Sequence, residues 1–115
     1  MELTTKNLEE ISLEDMRTHI FSMIDLHVDL ISVDADKYAY LLGYYPALYN
    51  YVAELYTYQI AKVRDYVEIS DKFRAAKARD RRDILEEALK SIKLQYESLS
   101  RKITLLSPNS GRGDI

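Results

Sequence analysis

The chain has 115 residues, 47% hydrophobic and 30% charged, with three Gly, two Pro and no Cys. That is one ordinary domain, too polar for a membrane protein and too apolar for a disordered tail; the lack of Cys excludes a disulfide framework, a thiolate metal site and a cysteine nucleophile. The net charge of −3 is uneven, because residues 1–36 hold nine Asp/Glu against Lys6 and Arg17, whereas residues 37–115 hold fourteen Lys/Arg against ten Asp/Glu.

An acidic whole argues against a global nucleic-acid footprint and leaves room for a local one. The longest stretch without a charge, Tyr38 to Ala53, is shorter than the ~20 apolar residues of a spanning helix. No membrane span is expected. Met1-Glu2 opens on no secretory pattern, so the expected location is cytoplasmic, the host cytoplasm if the protein is viral.

Residues 1–11 lack apolar periodicity and are expected to form a flexible arm ahead of a single all-α domain over 12–107. Ser12 with Asp15 approximates a capping box, and Met16, Ile20, Met23/Ile24, His27 and Leu30/Ile31 follow at helical spacing. A first helix is predicted over 13–32. Asp34 is placed to cap a short second helix that ends at Leu42-Gly43.

Pro46 disfavours a helical Tyr45 but suits the first turn of a new helix. Along that helix Tyr45, Val52, Gln59, Tyr66 and Phe73 recur every seven residues. Leu48, Leu55 and Ile69 flank this stripe on one side, Tyr49, Tyr56 and Val63 on the other. A stripe three columns wide predicts packing against at least two neighbours.

Leu85, Leu89, Ile92, Tyr96, Leu99, Ile103 and Leu106 alternate steps of four and three, an a/d heptad seam. The expectation is a coiled-coil bundle in which this seam makes a homo-oligomer. Pro108 stops the helix, and 108–115 reads as a disordered tail. Between the heptad segments there is no Gly or Pro. The helix either runs through as one rod or turns near Asp80, with Asp80 or Asp83 as cap; the antiparallel hairpin is the favoured alternative.

Two features carry chemistry. Tyr51 and Tyr58 lie seven apart and off the stripe, so they form a column that either packs the N-terminal helices or stacks nucleobases beside Lys62 and Arg64. Arg74, Lys77 and Arg81, preceded by Lys72, share one helical side and are placed to track phosphates; the alternative is a solvated face paired with the acidic N-terminal third.

His19 and His27 stand about 12 Å apart along a helix, too far to share a metal ion. Gly111-Arg112-Gly113-Asp114 is taken as a chance match to an integrin tripeptide. No glycine phosphate loop, Cys/His cluster or nucleophile elbow is present in the sequence. The expectation is a non-enzyme with no cofactor and no metal.

The segment Tyr49 to Leu106, above all Ala88-Leu-Lys-Ser-Ile-Lys-Leu-Gln-Tyr-Glu-Ser-Leu-Ser-Arg-Lys-Ile-Thr104, resembles small helical phage recombination-mediator proteins. The resemblance implies an oligomeric helical protein that binds single-stranded DNA and helps a recombinase displace a single-strand-binding protein. Lys/Arg of the 72–82 stretch would then meet phosphates. Three functions stay open: an oligomerisation or interaction protein that also uses its tyrosine-rich helix, a recombination accessory factor, and a virion-assembly or host-factor-binding protein.

Overall fold

The computed structural model describes residues 2–25 and 35–106. In order come a 3-10 turn at Leu8–Glu10, α1 at Leu13–Asp25, α2 at Ala35–Glu68 and α3 at Lys72–Leu106. The described chain is all-α. Helices α2 and α3 pack along each other as an antiparallel hairpin, and α1 lies on α3.

Helix α1 starts where the cap places it: Ser12 Oγ accepts the Asp15 N–H at 3.0 Å and the Ser12 carbonyl accepts the Met16 N–H at 2.9 Å. Met16, Ile20 and Ile24, four apart, form its buried face. The expected continuation to residue 32, His27, the Asp34 cap and the 108–115 tail lie outside the described residues.

The helix break expected at Gly43 and Pro46 does not occur. Helix α2 is continuous over 34 residues with Pro46 inside it. The reason is tertiary. Tyr38, Leu41, Tyr45, Leu48, Val52, Leu55 and Gln59 are all buried, in alternating steps of three and four that run across the two helix breakers. Ending the helix there would split one face, and the burial of these side chains outweighs the ~3 kcal/mol that an interior Pro costs.

Neither breaker is buried. Gly43 and Pro46 are exposed, and a Cβ at Gly43 would meet nothing within 4 Å. Tyr44 and Tyr45 beside them donate hydroxyl hydrogens to the carbonyls of Met23 (2.9 Å) and Ile24 (3.5 Å). They thereby tie α2 to the C-terminal turn of α1.

The hairpin turns at residues 69–71, ten residues before the expected position. The Ser70 N–H meets the Val67 carbonyl at 3.0 Å and the Asp71 N–H meets the Tyr66 carbonyl at 2.9 Å, a Schellman ending with Ser70 in the left-handed region (φ 60°). Asp71 then caps α3, its Oδ1 accepting the Arg74 N–H at 3.0 Å. One residue closes one helix and opens the next. Because a left-handed non-glycine residue costs about 1 kcal/mol, Ser70→Gly is expected to raise unfolding stability by about that amount in urea denaturation.

With the turn at 69–71, Phe73 is no longer part of the α2 stripe. It sits in the first turn of α3, 73% exposed, while Tyr45, Val52, Gln59 and Tyr66 of the same predicted column are buried.

On α3 the predicted seam is turned slightly. Leu85, Ile92 and Leu99 are fully buried within the chain, joined by Ala88; Leu89 is half-buried and Tyr96 is at the surface. Ile103 and Leu106 fall in the last turns of the helix. The face that the pattern reserves for a second chain is therefore largely covered by α2 and α1 of the same chain.

The N-terminal segment is not a free arm. Leu3 and Leu8 are completely buried in the same core, and Tyr51 donates its hydroxyl to the Leu3 carbonyl. Asn7 braces the segment, accepting the Thr4 N–H and donating to the Glu2 carbonyl, each at 2.8 Å. Two leucines without helical spacing carry no periodic signal, which is why this strap escapes a pattern-based reading.

An ion pair clips α1 to α3: Arg17 Nη2 lies 2.6 Å from Glu87 Oε1. The hydrogen bond from Arg17 holds the Glu87 carboxyl below the usual carboxylate range. A lowered carboxylate pKa gives stability that is present above the unfolded pKa and lost as pH falls through the folded one. Arg17→Gln is expected to flatten that acid limb in pH-dependent thermal melts and to leave Tm unchanged once Glu87 is protonated in wild type as well.

Candidate nucleic-acid interface at the hairpin head

Residues 62–83, the head of the hairpin, carry eight Lys/Arg and five Asp/Glu, a net of +3 in a chain of −3; the remainder is −6. The head is thus a locally basic segment of an acidic chain. Its net positive charge favours an anionic ligand there.

Two recesses divide the head. One, of about 450 Å³, is lined by Glu9, Tyr66, Phe73, Arg74, Lys77 and Arg81. The other, of about 400 Å³, holds Lys72 and Arg79, with Tyr66 shared between them. The spacing 74, 77, 81 puts three cations together as the sequence predicts; Lys72 belongs to the opposite flank.

Cations and rings are interleaved. Lys77 Nζ lies 5.5 Å from the Phe73 ring centroid, Arg74 Cζ 5.9 Å from that of Tyr66, and Lys62 Nζ 5.4 Å and 5.7 Å from those of Tyr58 and Tyr66. Tyr58 is half-exposed beside Lys62. Tyr51, its expected partner in a stacking column, is instead spent on the N-terminal strap, where burial pushes its phenol up.

Beneath the rings lies a buried polar cluster. The Arg81 side chain is only 7% exposed; its Nε donates to Gln59 Oε1 at 3.1 Å, and its Nη2 stands 3.7 Å from Glu9 Oε1. Tyr66 donates its hydroxyl to the same Glu9 oxygen at 2.6 Å, and that hydrogen bond raises the Tyr66 pKa. Gln59 Nε2 is buried with no hydrogen-bond partner. An orphaned buried donor costs ~1–3 kcal/mol, so this cluster is not tuned for stability alone.

Glu9, Gln59, Tyr66 and Phe73 are the site residues that the sequence reading misses. Phe73 next to Arg74 and Lys77 is a local signal of aromatic and cation together. Glu9 is 57 residues from Tyr66, and nothing local announces that contact.

The described residues contain no group of His, Asp and Glu able to hold a metal ion. None of the helices, among the described residues, is long and apolar enough to cross a membrane. Compared with protein-family models, curated proteins and solved structures, the chain matches none of them.

Proposed function

We propose that this protein is a non-catalytic binder of single-stranded nucleic acid, acting as a recombination accessory factor through its hairpin head. The supporting observation is the set of cation–ring pairs at one end: Lys62 with Tyr58, Arg74 with Tyr66, and Lys77 with the widely exposed Phe73. Phosphates need the cations, and unpaired bases offer faces to the accessible rings of Phe73 and Tyr58 without regard to sequence. Duplex DNA offers no such faces, which favours single strands.

A fluorescence-anisotropy titration with a labelled oligothymidylate tests this reading. Log affinity is expected to fall with log salt at ~0.7 per phosphate engaged, a slope of about 2 for three contacts. Phe73→Ala is expected to weaken binding by about five- to a hundredfold, the worth of one stacked base. Binding indifferent to salt, or equal in the variant, would sink the reading.

A second reading is self-association beside the hairpin. An apolar groove of about 370 Å³ runs between Tyr45, Pro46 and Tyr49 of α2 and Ile92, Lys93 and Tyr96 of α3. Tyr49 and Tyr96 are each more than a third exposed there. Sedimentation at micromolar concentration distinguishes this from a monomeric binder.

A further inference from the structure

We propose that the recess between Tyr66 and Arg81 is a specific site for a doubly charged phosphate group, and that Glu9 occupies it as an internal stand-in which the phosphate displaces. The inference deepens the reading of the head as a phosphate binder. It concerns one pocket and one charge state, not the tracking of a strand.

A carboxylate that accepts hydrogen bonds from a phenol and faces a guanidinium stands where an oxyanion would stand. Glu9 fills that place incompletely. Its oxygen is 2.6 Å from the Tyr66 hydroxyl but 3.7 Å from Arg81 Nη2, well beyond the ~2.7–2.9 Å of a charge-assisted bond. Arg81 is buried and aligned by Gln59, so its position is set before any ligand arrives. A guanidinium offers five N–H donors, and a tetrahedral phosphate presents more acceptor oxygens to them than one distant carboxylate oxygen does.

Charge points the same way. Arg74, Lys77 and Arg81 bring three positive charges to the recess, and Glu9 returns one. Arg74 also pairs with Asp71 at 3.5 Å. At least one positive charge is left over, so exchanging a monoanion for a dianion improves the balance.

The exchange is mechanically simple. Glu9 is 36% exposed on the surface of the 3-10 turn, whereas its neighbour Leu8 is fully buried. The carboxylate can swing out while Leu8 keeps the strap in the core. Tyr66 then donates to a phosphate oxygen in place of Glu9.

The group has two chemical sources, the phosphorylated end of a strand and a free phosphate or small phosphomonoester. Calorimetry on the full chain at low ionic strength, with inorganic phosphate as probe, tests the pocket. Glu9→Gln keeps an acceptor for Tyr66 while removing the competing charge, and is expected to tighten phosphate binding about tenfold. Glu10→Gln, an equal change of net charge at the next residue, is expected to stay within twofold of wild type. Lys77→Gln in the Glu9→Gln background is expected to abolish the gain.

In wild type, phosphate is expected to shift the Tyr66 ring and Arg81 Nε resonances, a readout that needs no variant. Absence of those shifts, no gain in Glu9→Gln, or an equal gain in Glu10→Gln would each overturn the proposal. Oligothymidylates with and without a 5′-phosphate separate the sources: a preference for the phosphorylated end assigns the site to strand termini, and none assigns it to a free phosphate. Binding of an unphosphorylated strand without any phosphate binding would leave the function of the head standing and remove this site alone.

Discussion

Ile92→Asp is expected to leave the chain unfolded at 25 °C, with far-UV helicity lost, whereas Leu94→Asp two residues away is expected to change stability by no more than about 0.5 kcal/mol. Ile92 is 1% exposed in the core between α2 and α3; Leu94 is 64% exposed on the outer side of the same helix. Truncation of a buried isoleucine alone costs ~2–5 kcal/mol, and an unpaired carboxylate in its place adds several more. The sum reaches the ~5–15 kcal/mol that holds a domain of this size together. If the seam of α3 instead served mainly to join chains, the same substitution would yield folded monomers with helicity intact. Circular dichroism and sedimentation on one sample tell the two apart.

The second large effect is expected from the N-terminus. Removing residues 1–11 should lower unfolding stability by about 4 kcal/mol or more, seen as a shifted urea midpoint, because Leu3 and Leu8 each fill the core completely. Leu3→Ala with Leu8→Ala should reproduce most of the loss. Glu9→Gln should not, since the carboxylate contributes at the half-exposed rim. A truncation that leaves the midpoint unchanged would mean the strap carries no weight in the fold.

These expectations show which parts of the molecule were legible in the sequence. Seven-residue periodicity located the buried column Tyr45, Val52, Gln59 and Tyr66, together with Leu85, Ile92 and Leu99, because a helix face reports its burial in its own spacing. The hairpin was legible as a favoured alternative, but its turn was not. Ser70 takes a left-handed conformation that glycine usually marks, and the charged run at 79–83 looks like a loop although Arg81 is its most buried member.

Gly43 and Pro46 misled in the opposite sense. Their local preference to end a helix is real, yet both are exposed and the apolar face continues past them. At the site, Arg74, Lys77 and Arg81 were legible from spacing alone. Glu9 was not, because its partners Tyr66 and Arg81 lie on two other elements and are brought together only by the tertiary fold. Tyr51 shows the converse: its position off the stripe reflects the strap that covers it, not an open surface.

The three-residue turn between α2 and α3 also sets an order of assembly. Contacts beside residues 69–71 close the shortest loops of the hairpin, so their closure entropy is smallest, and pairing then extends outward toward Tyr38 and Leu99. The strap has no surface to join until that zipper has closed, since Leu3 needs Tyr51, and Glu9 needs Tyr66 and Arg81 from two different helices. The strap is therefore expected to dock only after α2 and α3 have paired, which hydrogen exchange at Leu3 and Leu8 during refolding would show.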